Sequence, residues 1–119
     1  MPYKVVIAED FMMIRQVFTD AVEKAGNYEL LRAFSTAEDA LCFVQDHDAD
    51  LILMDVLFPG GMSGLEASEK IKKIKPSIRI IIVTSMPELS YINRAKEIGV
   101  DSFWYKEVQE QPILEIMDR

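Results

Sequence analysis

Apolar and polar residues follow one another in blocks that predict strands and helices in regular alternation. Between the apolar runs, apolar residues recur every three or four positions, the spacing of one face of an α-helix. The runs themselves are short and rich in β-branched residues, as buried strands are. The predicted strands are Tyr3–Ala8, Glu29–Phe34, Leu51–Met54, Arg79–Thr84 and Ser102–Tyr105.

Several residues mark where the predicted helices begin and end. The first helix has apolar positions at 14, 17, 18, 21, 22 and 25, and Gly26 ends it. Two Ser-x-x-Glu sequences, from Ser35 to Glu38 and from Ser63 to Glu66, match the capping box that opens a helix. The last helix is expected to begin near residue 112 because that residue is a proline.

Strands that are almost entirely apolar indicate a parallel sheet covered by helices on both faces. Right-handed crossovers then place the helices on two sides of the sheet. The pattern therefore predicts an α/β fold, a doubly wound (βα)5 three-layer sandwich with a five-stranded parallel sheet. A chain of 119 residues fits one domain, residues 1–119. The periodicity alone does not give the order of the strands.

Composition narrows the function classes and the cellular location. The chain has 13 basic and 20 acidic residues and a net charge of −7, which disfavours direct contact with nucleic acid. No apolar run reaches the roughly 18 residues of a membrane span, and the first residues do not resemble a secretory leader. With Cys42 as its one cysteine, the chain is expected in the cytoplasm. Cys42 is predicted to be buried, and Met12 and Met13 to be packing residues.

Polar residues stand at the carboxyl ends of four of the five predicted strands. Glu9 and Asp10 follow the first strand, Asp55 the third and Lys106 the fifth, while Thr84 ends the fourth. Each has an ordinary explanation on its own, as a helix-dipole partner, a turn residue, a solvated lysine or a β-branched strand residue. Ligands of open parallel sheets bind at this edge, so their coincidence predicts a functional site.

The charges of this predicted site favour a divalent cation. Three carboxylates about 4 Å apart repel by roughly 4 kcal/mol per pair at an effective dielectric of about 20, and Lys106 offsets only part of this. Mg²⁺ prefers carboxylate oxygens, water and a phosphate oxygen as ligands. An ionised aspartate can also act as a nucleophile in phosphoryl transfer. The pattern is that of a metal-assisted phospho-aspartate site.

With these residues in place, the whole chain resembles the response-regulator receiver family. The resemblance is carried by IAEDFMMIR, LILMDVLFPGGMSGLEA, IIIVTS and GVDSFWYKE. It implies the flavodoxin-like strand order 2-1-3-4-5. It also implies a phosphoacceptor switch of a two-component system, and not a metabolic enzyme, that takes its phosphoryl group from a sensor histidine kinase. The resemblance is compatible with a monomer and with a homodimer.

The FWYKE segment is most similar to receivers that carry a C-terminal helix-turn-helix domain. This implies control of transcription through a DNA-binding domain absent from this chain. A natural single-domain regulator is the alternative.

The resemblance implies a role for each site residue. Asp55 is the phosphoacceptor and a Mg²⁺ ligand. Asp10 is implied as a direct Mg²⁺ ligand and Glu9 as a ligand through water, while the backbone carbonyl of Leu57 completes the protein ligands.

Three further residues are implied in phosphoryl binding and switching. Lys106 pairs with the phosphoryl group, Thr84 moves to form a hydrogen bond with it, and Phe103 turns inward with Thr84. Phosphorylation then biases two pre-existing arrangements of the domain.

The chain departs from the family pattern at three places. The loop after Asp55 contains Gly60-Gly61 and is one residue longer than is common. Glu107 replaces a usual proline, so no cis peptide bond is expected there. Phe103 lacks the hydroxyl group of the tyrosine that many relatives carry, so an inward state must rest on packing.

Three other functions are alternatives to this one. A haloacid-dehalogenase-type phosphatase usually has a second acid two residues after its nucleophile, where this chain has Leu57. A flavodoxin-like flavin carrier needs a phosphate loop after the first strand, where this chain has EDFMMIR. A receiver-like interaction domain that is never phosphorylated is the third alternative, and the intact site argues against it.

Overall fold

The computed structural model describes residues 2–85, 88–105 and 113–118, apart from the side chain of Tyr105. The strands are β1 (Tyr3–Ala8), β2 (Tyr28–Phe34), β3 (Leu51–Asp55), β4 (Arg79–Thr84) and β5 (Ser102–Tyr105). The helices are α1 (Met12–Ala25), α2 (Ala37–Asp46), α3 (Gly64–Ile74), α4 (Leu89–Ile98) and α5 (Ile113–Met117). Among these described helices, none has the length and apolar character needed to cross a lipid bilayer.

The strands form one parallel sheet in the order β2-β1-β3-β4-β5. This confirms both the doubly wound α/β class and the strand order that the family resemblance implied. The chain reverses its direction of winding between β1 and β3, and a crevice opens there beyond the carboxyl ends of the strands. The fold therefore creates a binding position at the edge where the sequence places its acidic residues.

Alternate residues of each strand enter two separate hydrophobic cores. On one face Val6, Ile52 and Ile82 pack with buried residues of α2, α3 and α4. On the other face Ile7 and Leu53 pack with buried residues of α1 and α5. Because helices cover both faces of the sheet, close packing restrains the strands and so positions the residues at their carboxyl ends.

Helix α2 begins one residue later than the first capping box predicts. Thr36, not Ser35, is its N-cap, and the Thr36 hydroxyl accepts a hydrogen bond from the Asp39 N–H at 3.1 Å. The N-cap predicted by the second box is confirmed, because the Ser63 hydroxyl accepts a hydrogen bond from the Glu66 N–H at 3.1 Å. The Glu38 side chain makes a different contact, which is described below.

Some residues predicted to be buried are exposed. Cys42 lies on the exposed side of α2, so the prediction of a buried cysteine was wrong. Met12 and Met13 are 69% and 67% exposed, and Val17 on the predicted inner face of α1 is 56% exposed. Phe18, one residue further, is fully buried as predicted.

Two polar contacts fasten the end of the described chain to the sheet. The buried Tyr28 of β2 donates its phenolic O–H to Asp118 Oδ1 at 2.5 Å. Arg79 of β4 donates to the Met117 carbonyl at 2.9 Å. Burial and the acceptor carboxylate of Asp118 together raise the pKa of Tyr28 from 10.0 to about 12.

The Tyr28 contact is expected to make stability depend on pH in alkaline solution. The phenol of the unfolded chain ionises at its ordinary pKa of about 10. The stabilisation is therefore complete below about pH 10 and is lost as the pH rises towards the folded pKa of about 12. Free energies of unfolding from urea titrations between about pH 9 and pH 11.5 should fall more steeply for the wild type than for Tyr28→Phe.

Tyr3 provides a matched control because its ring stacks on Tyr28 at a centroid distance of 6.3 Å and is half exposed. Tyr3→Phe should keep the alkaline loss of stability. Parallel curves for the wild type and Tyr28→Phe would contradict the assignment.

Candidate functional site

A cavity of about 370 Å³ opens at the carboxyl edge of the sheet. The cavity lies at the carboxyl ends of β1, β3 and β4, and these strands are neighbours in the sheet. Its lining includes Glu9, Asp10, Asp55, Leu57, Thr84 and Ser85. Of the strand-end residues predicted to form a site, the structure brings together all those that lie in its described ranges.

Three carboxylates form an acidic cluster in this cavity. One carboxylate oxygen from each of Glu9, Asp10 and Asp55 lies within 4.8 Å of the other two. Glu9 is fully buried and Asp55 is 5% exposed, whereas Asp10 is exposed. Charges at this separation repel by roughly 3–4 kcal/mol per pair at an effective dielectric of about 20. The cluster therefore attracts positive charge strongly.

Backbone N–H groups orient two of these three side chains. The Phe11 N–H donates to Glu9 Oε2 at 3.0 Å, and the Val56 N–H donates to Asp55 Oδ1 at 2.8 Å. Arg15 of α1 directs its guanidinium group to the carbonyl of Glu9 at 2.8 Å and so holds the loop between β1 and α1. The carboxylates of Glu9 and Asp55 are thereby oriented by the protein itself.

The donor set suits a small, hard cation. All three side chains offer oxygen, which Mg²⁺ prefers, and none of the three offers nitrogen or sulfur. An octahedral ion with ligands at about 2.1 Å has neighbouring ligands about 3.0 Å apart and opposite ligands about 4.2 Å apart. Separations of up to 4.8 Å are close to these values, so side-chain rotations or a bridging water suffice. The residues present fit a magnesium ion.

The backbone of Asp55 also packs closely against the first residue of α3, a glycine. Gly64 lies so near that an added Cβ would stand 1.6 Å from the Asp55 carbonyl oxygen and 2.7 Å from its carbonyl carbon. The Gly64 N–H donates to the Val56 carbonyl at 2.8 Å. The backbone of the central acidic residue therefore rests directly on the start of α3. Sequence reasoning did not identify Gly64.

Thr84 and Phe103 lie on the side of the sheet that faces α4. Thr84 is 3% exposed and lines the cavity at the end of β4. Phe103 pairs with Ile82 in the sheet register, is partly buried and packs against the core beneath α2, α3 and α4. Phe103 is thus outside the cavity lining, on the same face of the sheet as Thr84.

Two sequence predictions fall on residues that the structure does not describe. Lys106 and Glu107 follow β5 in the sequence and lie outside the described residues. The role of Lys106 and the trans peptide bond at Glu107 therefore stay predictions. Leu57 lines the cavity, while the metal-binding role of its carbonyl is likewise still a prediction.

Three apolar residues of the lining were not predicted as part of the site. They are Phe11, Phe58 and Pro59, which come from the loops after β1 and β3. Loops after the strands of a parallel sheet form its binding crevice, and this rule is the signal that could have identified them.

Residues 5–118 match the family model of the response regulator receiver domain. The chain therefore belongs to the response regulator receiver family, as its motifs indicated.

Similar proteins agree with this assignment. The response regulator protein VraR of Staphylococcus saprophyticus is 32% identical over 115 residues, which cover 97% of this chain and 54% of VraR. This chain spans about half the length of the curated relatives it matches. A DNA-binding response regulator of the LuxR family from Staphylococcus aureus is 29% identical with a TM-score of 0.86, covering 98% of this chain and 93% of that one.

A CheY-like response regulator receiver domain protein from Methanospirillum hungatei shows the same architecture. It is 27% identical, with a TM-score of 0.90, and the match covers 99% of this chain and 92% of that one. The match to this solved structure thus covers nearly the full length of the chain.

Proposed function

We propose that this chain is the phosphoacceptor switch of a two-component system in the cytoplasm. It takes a phosphoryl group from the phosphohistidine of a sensor histidine kinase onto Asp55, with Mg²⁺ as cofactor. The observation that carries the proposal is the buried Asp55 carboxylate, which lies within 4.8 Å of two further carboxylates in an open cavity. A site of this kind has a nucleophile and a metal-binding pair in one place.

The chemistry is a displacement at phosphorus. An Asp55 carboxylate oxygen attacks, a new P–O bond forms an acyl phosphate, and the P–N bond of the phosphohistidine breaks with its electron pair going to the imidazole. Glu9 and Asp10 would hold Mg²⁺, which when bound would supply positive charge to the phosphoryl oxygens. The Val56 N–H fixes the rotation of the Asp55 carboxylate.

Two other groups act on the phosphoryl oxygens in this proposal. The Thr84 hydroxyl donates a hydrogen bond, and the Lys106 ammonium pairs with the negative charge. The protein therefore catalyses its own phosphorylation and has no metabolic substrate. Family membership argues against the phosphatase and flavin-carrier alternatives, and the unphosphorylated interaction domain is tested below.

The switch follows from the placement of Thr84 and Phe103. Movement of the buried Thr84 towards a phosphoryl group opens space on the sheet face below α4, and the half-buried Phe103 ring then turns into it. The surface of α4 and β5 changes as a result. Phosphorylation shifts the population between the two arrangements.

The output is proposed to be transcription control through a DNA-binding domain outside this chain. Two observations support this: curated relatives are about twice as long as the matched region, and a similar solved protein is a DNA-binding response regulator. The net charge of −7 is consistent with a domain that does not itself contact DNA.

Incubation of the wild-type protein with acetyl phosphate tests the proposal. In the presence of Mg²⁺ the intact mass should rise by one phosphoryl group, about 80 Da, because the site activates its own carboxylate. With excess EDTA in place of Mg²⁺ the gain should fall at least tenfold. Borohydride reduction of the acyl phosphate followed by peptide mapping should then locate the modification at Asp55.

Calorimetry provides an independent readout of the metal site. Mg²⁺ should bind with one ion per chain in the absence of any phosphodonor. A protein that takes up neither Mg²⁺ nor phosphoryl groups would favour the unphosphorylated interaction domain and overturn the proposal.

A further inference from the structure

The loop between β3 and α3 is held by a side chain from a different helix. Glu38, in the first turn of α2, accepts a hydrogen bond at its Oε2 from the Met62 N–H at 3.1 Å. These two residues are 24 positions apart in the sequence. A carboxylate acceptor makes such a bond stronger than a neutral acceptor does.

Gly61 makes room for this contact. A Cβ added at Gly61 would stand 2.6 Å from Glu38 Oε2 and 3.2 Å from Glu38 Cδ. Any larger residue at this position therefore displaces the Glu38 carboxylate. Gly60, the preceding residue, adopts a φ of +72°, a conformation that glycine reaches without strain. Gly61 thus lets the loop backbone approach Glu38, and Gly60 provides the left-handed turn just before it.

The same loop forms one wall of the phosphoacceptor cavity. Leu57, Phe58 and Pro59 line the cavity and are joined to Asp55 by Val56 alone. At its other end the loop enters α3 at Gly64, against the Asp55 carbonyl. In the sequence, the Glu38 contact at Met62 lies between the cavity-lining residues 57–59 and Gly64.

We propose that Glu38 is a positioning residue for the phosphoacceptor site, which clamps the lengthened loop and thereby holds Leu57 and Pro59 at the cavity. This inference rests on the proposed function of the site. Glu38 touches neither the metal nor the phosphoryl group in this proposal. It acts through the loop backbone, and its loss lets the loop sample arrangements in which the cavity wall is displaced.

Four variants separate this role from a general effect on stability. Glu38→Ala removes the acceptor, and Glu38→Gln keeps an acceptor oxygen for the Met62 N–H. Gly61→Ala displaces the carboxylate from the other side. Asp39→Ala is the matched control because it removes an acidic side chain from the adjacent exposed position of the same helix turn.

Mg²⁺ dissociation constants from calorimetry and rates of phosphorylation by acetyl phosphate are the readouts. Glu38→Ala is expected to weaken Mg²⁺ binding about threefold to tenfold and to slow phosphorylation by a similar factor. Glu38→Gln should stay within about twofold of the wild type, and Asp39→Ala should equal it. A purely structural role would lower the urea midpoint without changing the affinity for Mg²⁺.

The double variant Glu38→Ala/Gly61→Ala gives the sharpest result. Gly61→Ala in the wild-type background should resemble Glu38→Ala, because the added methyl group displaces the same carboxylate. The three nearest neighbours of this methyl group are all atoms of the Glu38 carboxylate, so in their absence the double variant should bind Mg²⁺ no more weakly than Glu38→Ala alone. Additive losses would overturn the proposal.

The outcome also distinguishes this inference from the proposed function. If the wild type binds Mg²⁺ and takes up a phosphoryl group while Glu38→Ala behaves identically, the clamp alone is overturned. If the wild type does neither, the function proposed for the site is overturned and the clamp with it.

Discussion

Asp55→Asn is expected to abolish phosphorylation by acetyl phosphate and to stabilise the metal-free domain. Asparagine has the same shape and keeps an oxygen that can accept from the Val56 N–H, so the fold of the site should persist. Its amide is not a nucleophile, and no acyl phosphate forms. The substitution also removes one of three carboxylates whose oxygens lie within 4.8 Å of each other. Without metal, relief of this repulsion should raise the free energy of unfolding by about 1–2 kcal/mol.

Mg²⁺ should reduce the difference in free energy of unfolding by which Asp55→Asn exceeds the wild type. The wild type is expected to gain stability from Mg²⁺, in proportion to the logarithm of the ion concentration above the dissociation constant. Asp55→Asn is expected to bind the ion more weakly and to gain less. Urea titrations in EDTA and in about 10 mM Mg²⁺ should therefore show the advantage of the variant shrinking or changing sign.

Asp39→Asn is the matched control for this experiment. It removes a carboxylate charge from an exposed position on α2. It should gain the phosphoryl group as the wild type does and change the free energy of unfolding by less than about 0.5 kcal/mol. A full mass gain in Asp55→Asn would mean that another residue accepts the phosphoryl group.

The fold and the centre of the site were predictable from local patterns. Each strand is a short apolar run, and a polar residue follows where the chain leaves the core. Because parallel strands end at a common edge, Glu9, Asp10 and Asp55 were expected at that edge, and the adjacency of β1 and β3 brings them together there. Their convergence in the structure confirms this reasoning for the acidic cluster.

Errors arose where two neighbouring residues fit the same signal. Ser35 and Thr36 are both good N-caps, and the glutamate three residues after Ser35 favoured the first. In the structure Thr36 caps the helix, and Glu38 contacts the loop before α3 instead. The partner of Glu38 is 24 residues away, and no local pattern indicates such a contact.

The exposure of Cys42 is determined by its position around the helix and not by its residue type. Free cysteine is among the most buried residue types, and this preference led to the wrong prediction. The inward positions of α2 are Ala37, Ala40 and Val44. Cys42 lies two residues from both of the last two, which places it on the opposite side of the helix. The spacing of its neighbours contained the correct answer.

Gly64→Ala is expected to lower the free energy of unfolding by about 2–4 kcal/mol and to slow phosphorylation at least tenfold. The added methyl group would stand 1.6 Å from the Asp55 carbonyl oxygen and 2.9 Å from Met54 Cγ. A helix normally gains about 1 kcal/mol when alanine replaces glycine, but that gain is smaller than the cost of the clash. Backbone atoms of a central strand cannot move aside as a flexible side chain does, so α3 or the end of β3 must shift.

The shift falls on the residue that carries the proposed chemistry. A displacement of about 1 Å at a reacting group can reduce its rate a hundredfold, so phosphorylation should suffer beyond what the unfolded fraction explains. Gly61→Ala, in the same loop, meets only the flexible carboxylate of Glu38 and should cost less than about 1 kcal/mol. Urea titration and the initial rate of acetyl phosphate uptake, measured where both variants remain folded, would check this. Equal decreases in the free energy of unfolding of the two variants would show that close contact between α3 and the Asp55 backbone is not what holds Asp55 in place.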